Sequence, residues 1–354
     1  MGVNLKDLIT PECKLEIDDL RQLSGRIIAF DAYNALYQFL AAIRQTDGTP
    51  LMDSKGRITS HLSGLFYRTI NFLENGIKPI YVFDGKPPEI KRKELEQRRI
   101  RKERAAKMAE KAYSEGNIEE ASKYVVQAIF LTDEMVKEAK ELLDAMGIPV
   151  IQAAEEGEAE AAYIAKKGLA WATASQDYDS LLFGAPRLVR NLTITGKRKL
   201  PGKDIYIEIK PEIIELEKLL KTLGITHEQL IDIAILIGTD YNPDGVEGIG
   251  PKTAYQLIKA YGSLEKIIKS PHGSHISEDL IKIKNYFLNP VVVDVERIEW
   301  KEPDTNRIKD LLVREHDFSI DRVENALKRL EKAYREYIKG RPSSLDQWFK
   351  YGKK

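Results

Sequence analysis

The feature that most constrains this chain is a pattern repeated along it: a short apolar run that ends in carboxylates or is soon followed by them. Arg26-Ile-Ile-Ala-Phe-Asp31 and Lys78-Pro-Ile-Tyr-Val-Phe-Asp84 each have an acid as the last residue. Ile148-Pro-Val-Ile-Gln152 leads to Glu156-Gly-Glu158, and Leu169-Ala-Trp-Ala-Thr-Ala174 leads to Asp177-Tyr-Asp179. Near-continuous apolar runs of this length predict parallel strands buried on both faces. In an open α/β sheet, ligands bind beyond the carboxyl ends of the strands, so these acids are expected to meet in one crevice. The predicted fold class is therefore α/β, a mostly parallel central sheet flanked by helices. Taken singly, each acid reads more simply as a helix N-cap or a solvated loop residue. The acids of Glu155-Glu-Gly-Glu-Ala-Glu160 also suit a helix start, where the dipole favours negative charge. Repetition after successive strands is what that plainer reading leaves unexplained.

A further run, Ile235-Leu-Ile-Gly-Thr-Asp-Tyr241, places Asp240 after apolar residues that fit either a strand or the end of a helix. Seven carboxylates in one crevice (Asp31, Asp84, Glu156, Glu158, Asp177, Asp179 and Asp240) cannot all stay charged without cations, because like charges raise one another's pKa. With five His and one Cys in the whole chain, the available donors are hard oxygens, which favour Mg²⁺ or Mn²⁺ over zinc. Carboxylates without a histidine cage suit a pair of metals about 4 Å apart, one activating water and one steadying the leaving oxygen of a phosphodiester. The chemistry expected is hydrolysis of a nucleic acid backbone.

Lys plus Arg equals Asp plus Glu, at 55 each, so affinity for nucleic acid must come from local patches. The single cysteine, Cys13, excludes an intramolecular disulfide framework and fits a reducing interior. No apolar stretch has membrane-spanning length, and the first residues alternate polar and apolar too soon for a signal peptide. The expectation is a soluble intracellular protein of one main domain with a smaller lobe.

One patch is explicit. Lys86 to Lys111 holds eleven Lys or Arg against five Glu. Lys91 to Arg104 has strong helix propensity but a thin apolar face. Two turns separate Lys91 from Arg98, which puts them on one helical face that Arg101 and Lys102 continue. Facing the crevice, that row would hold a scissile phosphate; facing water, it is a solvated helix of Glu and Lys pairs. The following stretch, Ile118 to Met146, is more amphipathic, with Val125, Val126, Ile129, Phe130, Met135 and Val136 available for burial. Further on, Gly245-Val-Glu-Gly-Ile-Gly-Pro-Lys-Thr-Ala254 is a glycine-rich turn with Pro251 at a first helical position. Gly248 and Gly250 would let backbone N–H groups approach a phosphate, and Lys252 adds charge. At the carboxyl end, polar residues present Leu345, Trp348 and Phe349, either to a partner's hydrophobic pocket or back onto the domain.

These segments together resemble the structure-specific flap endonucleases, in their archaeal and eukaryotic form. The most specific pieces are Phe30-Asp-Ala32, Tyr81-Val-Phe-Asp-Gly-Lys-Pro-Pro88, Glu156-Gly-Glu158, Gln176-Asp-Tyr-Asp179, Gly238-Thr-Asp-Tyr241 and Gly248-Ile-Gly-Pro-Lys252, and the likeness runs from Met1-Gly2 to the tail. The resemblance implies a 5′ nuclease (PIN-like) fold with a helical arch and a C-terminal helix-hairpin DNA-binding region. It divides the chain into a first nuclease segment (1–85), an arch (86–130), the rest of the core (131–240), a helical DNA-binding region (241–339) and a tail (340–354). It implies Mg²⁺ at two positions on the seven acids, with Mn²⁺ able to substitute, and K⁺ at the hairpin turn. Lys91 and Arg98, with the ligand Asp179, are the implied catalytic residues. Tyr37 matches the aromatic on which a base stacks, and Gly2, Arg44 and Arg68 match residues near the nucleic acid. The implied activity is cutting of branched DNA near the base of a 5′ flap, with 5′–3′ exonuclease activity, in Okazaki fragment maturation and repair. The implied protein is a monomer, cytoplasmic in an archaeon or nuclear in a eukaryote, whose tail docks the replication sliding clamp through Leu345, Trp348 and Phe349.

Two departures stand out. Pro342 occupies the place of the Gln that usually opens the clamp motif, and Glu160 is an acid beyond the family's pair, assigned to the helix and not to the metal. A 5′ exonuclease or Holliday junction resolvase of the same superfamily would keep the acids but differ in arch and tail. A non-catalytic scaffold would have lost several acids, and a small-molecule phosphohydrolase would need neither arch nor hairpin turn.

Overall fold

The computed structural model describes residues 2–45, 49–117, 120, 123–125, 128, 130–194, 196–199, 206–273 and 276–339. The predicted apolar runs form the centre of a seven-stranded sheet. In chain order the strands are β1 (Lys14–Glu16), β2 (Ile27–Asp31), β3 (Lys78–Phe83), β4 (Val150–Gln152), β5 (Ala172–Ala174), β6 (Arg187–Arg190), β7 (Gly196–Lys199), β8 (Tyr206–Ile209) and β9 (Glu212–Glu215). The sheet order is β1-β9-β6-β5-β2-β3-β4, and β7 pairs with β8 in a separate two-stranded ladder. Strands β4, β3, β2, β5 and β6 run parallel, while β9 and β1 add an antiparallel edge. Chain order passes outward from β2 through β3 to β4, then returns to β5 on the other side of β2. The crevice beyond the carboxyl ends of β2 and β5 is thus the topological switch point, where an open α/β sheet offers room for a ligand.

The helices are α1 (Ala32–Ala42), α2 (Ser60–Glu74), α3 (Arg92–Ser114), α4 (Asp133–Ala145), α5 (Gly157–Lys166), α6 (Asp179–Leu182), α7 (Leu216–Leu223), α8 (His227–Ile237), α9 (Pro251–Tyr261), α10 (Leu264–Ile268), α11 (Leu280–Leu288), α12 (Thr305–Lys309) and α13 (Ile320–Ala333). One apolar cluster joins the sheet to α1, α2, α4 and α13, and the Phe30 ring stacks between Phe72 and Tyr81 at centroid distances of 5.0 and 5.2 Å. A second unites the N-terminal segment with α6 to α11, and a third seats α5 on the other face of β2 and β3. Among the described residues, no helix is long and apolar enough to cross a membrane.

One segment resolves an open reading and one residue departs from expectation. The run before Asp240 is helical: α8 ends at Ile237, Gly238 takes φ 120°, and Thr239 and Asn242 exchange backbone hydrogen bonds around a turn that carries Asp240. Phe130, expected to be buried, is 43% exposed and carries the Lys102 ammonium 5.1 Å from its ring centroid.

A buried polar cluster ties the loop before α2 to α2, α4 and the turn after α12. His316 stands between Asp53 (Nδ1–Oδ2 3.2 Å) and Glu138 (Nε2–Oε1 3.1 Å), with His61 3.5 Å from the other Glu138 oxygen and Arg57 on Asp53 at 2.7 Å. Burial pulls the His316 pKa down, but the Glu138 and Asp53 carboxylates beside the ring outweigh it and the net shift is upward. Burial also raises both acids, yet their partners hold each at about 2. A raised His pKa stabilises fully below the ordinary value of 6.5 and is lost as pH rises through the folded value, whereas depressed carboxylates stabilise above their ordinary values and fail as pH falls toward 2. The melting temperature is therefore expected to decline as pH rises above about 6.5, and His316→Leu, which removes the imidazolium between the buried Asp53 and Glu138 carboxylates, is expected to cost about 3 kcal/mol near pH 6 and to flatten that slope. Thermal melts of both proteins across this range check it.

Candidate active site

Each acid is aimed by a local device. Asp31 closes β2 and caps α1, accepting the backbone N–H of Asn34 (3.0 Å). Asp84 follows β3 and accepts the Gly157 N–H at 2.7 Å. A Cβ on Gly157 would lie 2.7 Å from the same carboxylate oxygen, so glycine is required for that approach. Glu156 is the N-cap of α5 and Glu158 lies in its first turn. Asp177 and Asp179 follow β5, the latter at the start of α6 with its Oδ1 on the Val3 N–H at 2.9 Å. Glu156, Asp179 and Asp240 are buried, at 8, 6 and 8% exposure.

The cluster behaves as seven acids in too little water should. Burial first, then the Asp84 and Asp177 charges, raises Asp31 well above the carboxylate range. Burial with Asp179, Asp31 and Asp177 does the same to Glu158. Burial also lifts Asp84, Glu156 to about 6 and Asp179 to about 7. Asp240 moves the other way: burial works against ionisation, but Lys91 and Arg98 hold it down.

Those two cations enter from above the sheet. Lys91 lies 2.7 Å from Glu156 Oε2 and 3.3 Å from Asp240 Oδ2, and Arg98 donates to Asp240 Oδ2 at 2.8 Å. They do not share one α-helical face as expected, because Lys91 ends a 3₁₀ turn (Glu89–Lys91) and Arg98 sits in α3. The bend still delivers both side chains to one oxygen. Glu94, one turn before Arg98 and 4% exposed, pairs with its guanidinium. Arg101 stays outside, more than half exposed and 3.9 Å from Glu94, and Lys102 turns aside to donate to the Tyr37 hydroxyl at 3.0 Å.

Among the described residues, no three His, Cys, Asp or Glu side chains close around a single point. The donor set nevertheless fits hard divalent ions: all oxygen, mutually repelling, with Glu158 Oε1 buried and lacking a hydrogen bond. The arrangement can hold cations and a phosphate between carboxylates below and basic groups above.

Residues 1–105 match the XPG N-terminal domain and residues 147–240 the XPG I-region. The chain is 66% identical to flap endonuclease 1 of Staphylothermus marinus and 62% identical to that of Aeropyrum pernix, each alignment covering 99% of this chain and 100% of the relative. The chain belongs to the flap endonuclease 1 family. Its fold is that of the flap endonuclease-1 from Methanococcus jannaschii, with TM-score 0.75 and 44% identity over 94% of this chain and 99% of that one. The catalytic core of Rad2, solved in complex with DNA substrate, shares the fold at TM-score 0.69 and 24% identity over 93% and 100% of the two chains. This chain is thus a nuclease, of a family whose members act in DNA replication and repair and are generally metal-dependent.

In this flap endonuclease the other expected site residues lie on several elements, each with its own local contacts. Tyr37 lies on α1, its ring centroid 4.4 Å from Lys102 Nζ. Arg44, just past α1, donates to Ala41 O at 2.9 Å and Leu40 O at 3.4 Å, satisfying carbonyls at that helix end. Arg68 on α2 lines a groove of about 410 Å³ with Tyr67, Asn71 and Thr193. The glycine turn opens α9: Gly248 takes φ 76°, Gly250 is the N-cap without a side-chain bond, Pro251 is the first helical residue and Lys252 the second. A Cβ at Gly248 or Gly250 would meet nothing within 4 Å, so only Gly248's backbone demands glycine and both faces are open to a ligand. Leu345, Trp348 and Phe349 lie outside the described residues.

Gly2, expected near the DNA, lies directly against two of the acids, which local pattern does not reveal. A Cβ there would stand 2.6 Å from Asp179 Oδ2 and 2.7 Å from Asp177 Cβ. Gly2→Val is therefore expected to push the two acids apart and to slow cleavage about 100-fold, the scale of a 1 Å misplacement at a reacting centre. Single-turnover rates at saturating DNA check it. Sequence reasoning also missed Asn34, Val3 and the edge-to-face pair Tyr241–Tyr286 beside Lys91. Only an amide one turn after Asp31 could have hinted at the first.

Proposed function

We propose that this nuclease hydrolyses a DNA phosphodiester near the base of a 5′ single-stranded flap, with associated 5′–3′ exonuclease activity, in Okazaki fragment maturation and repair. The observation that carries the reading is the meeting of Lys91 and Arg98 with Asp240 and Glu156 over the carboxyl ends of β2, β3 and β5. Asp31, Asp84, Glu156, Glu158, Asp177, Asp179 and Asp240 would hold two Mg²⁺, with Mn²⁺ able to substitute. Divalent ions bound there make water a stronger nucleophile and neutralise charge on the phosphate and its leaving oxygen. Lys91 and Arg98 exchange their carboxylate partners for the scissile phosphate and stabilise the charge that develops on it. Tyr37 offers a ring for the base beside the cut, with Arg44, Arg68 and Gly2 near the strand.

The segment 86–130, built on α3, serves as the arch under which the 5′ strand passes, between nuclease segments 1–85 and 131–240. The region 241–339 grips duplex DNA through the turn Gly248 to Lys252, with K⁺ as a candidate companion of the phosphate. The tail, 340–354, presents Leu345, Trp348 and Phe349 to the sliding clamp, and the protein acts as a monomer on DNA.

The test is cleavage of an end-labelled junction with a 5′ flap, with Mg²⁺ and with chelator, beside its 3′ flap counterpart. Metal-dependent cutting at the flap base of the 5′ substrate alone is expected. Equal cutting of both, or none by protein that binds the junction, would overturn the assignment.

A further inference from the structure

We propose that Asn34 is a positioning residue that holds Asp177 in register with Asp31 across the switch point, so that acids from β2 and β5 address the same cation. The inference rests on reading these acids as metal ligands. Three bonds converge on this one residue. Its backbone N–H donates to Asp31 Oδ1 at 3.0 Å, its Nδ2 donates to Asp177 Oδ2 at 3.1 Å, and its Oδ1 accepts the Gln176 N–H at 3.2 Å. The partners fix which end of the amide is which: a carboxylate needs the NH₂, a backbone N–H needs the oxygen. Behind it, Gln38 donates to Asn34 Oδ1 and accepts from the Thr193 hydroxyl, so the amide is braced from the end of β6.

The chemistry of an amide suits the task. Asp177 neighbours Asp31 and Asp179, and unrestrained it would rotate away from their charge. A lysine at this place would restrain it but would also neutralise it and compete with a metal for its lone pairs. A neutral donor occupies one oxygen and leaves the other free with its charge intact, as groups that orient metal-binding carboxylates do.

The experiment uses the full chain without DNA and measures Mn²⁺ binding from the electron paramagnetic resonance signal of the free ion. Wild type, Asn34→Ala, Asn34→Leu and Asp177→Asn are compared, with melting curves in chelator to confirm folding. Asn34→Leu keeps the volume should Asn34→Ala fail to fold, and Gln38→Ala, which withdraws only the outer brace, is expected to shift binding in the same direction by less. Both Asn34 variants are expected to bind Mn²⁺ about 10-fold or more weakly and to need correspondingly more Mg²⁺ for half-maximal cleavage, with KM for flap DNA unchanged. Folded Asn34 variants with Mn²⁺ affinity and Mg²⁺ requirement within about twofold of wild type, beside an Asp177→Asn protein that has lost affinity, would overturn the positioning role alone. Asp177→Asn binding Mn²⁺ as wild type does would instead overturn the ligand reading beneath it.

Discussion

Asp179→Asn is expected to lower the single-turnover cleavage rate by about 10³-fold or more while leaving the affinity for flap DNA, measured in chelator, close to wild type. A 10³-fold loss corresponds to about 4 kcal/mol of transition-state stabilisation, within the range a bound metal supplies. Asp179 is the acid for which such a loss should come least from misfolding. Its backbone starts α6, and the Val3 N–H on Oδ1 is equally well accepted by an amide oxygen. What the substitution removes is a charge, and with it a ligand that burial and the Asp240 and Asp177 charges raise to about 7 without metal. DNA affinity should hold because seven carboxylates exceed the charge of two divalent ions, so one fewer does not weaken attraction for phosphate. A folded Asp179→Asn protein that loses binding and cutting in equal measure would refute this separation of roles.

The second large effect is expected at the basic pair. Replacing Lys91 and Arg98 together by alanine should reduce the rate at saturating DNA by about 10² to 10³-fold, the scale of removing a preorganised donor at developing charge, with a change in Kd of less than about 10-fold. Both groups are held more than half out of water against Glu156 and Asp240. They reach the reacting phosphate already desolvated, which is where such contacts are worth most. Burial lowers the Lys91 pKa, but Glu156 and Asp240 overcome that and raise it, so the ammonium stays charged throughout the working pH range. The same substitution strips two cations from an acid cluster, so the variant should also melt at lower temperature in chelator and regain part of that loss when Mg²⁺ is added. Melting curves with and without Mg²⁺, alongside rates and Kd, distinguish this from simple DNA holding, in which rate at saturation would be untouched.

Much of this site was legible in the sequence because its parts are local. Each apolar run at Ile27–Asp31, Lys78–Phe83 and Ala172–Ala174 forms its strand, since hydrophobic continuity reports burial on both faces and an acid after it must lie at a strand's exit. The turn from Gly248 to Pro251 was legible for a similar reason: a positive φ and a first-turn proline are properties of single residues. The antiparallel edge of β9 and β1 was not, because Lys14-Leu-Glu16 and Glu212-Ile-Ile-Glu215 are bounded by charged residues and show no continuous apolar run to mark a strand.

What tertiary structure alone decided is which distant groups share the crevice. The acids and their chemistry, hard oxygens needing cations, were determined by the sequence itself. That the Val3 N–H meets Asp179 from 176 residues away, that Gly2 leaves room for two carboxylates, and that Asn34 joins Asp31 to Asp177 depended on how helices and strands pack. So did the meeting of Lys91 and Arg98 on Asp240: a helical-face argument left their row facing either crevice or water, and the 3₁₀ turn at Lys91 breaks the single face it assumed. Side-chain pattern specifies which elements form and which face is buried, through terms that act within a few residues. The position of one element's end against another's is set by close packing of the whole core, and contacts of a few ångströms across the chain follow only from that.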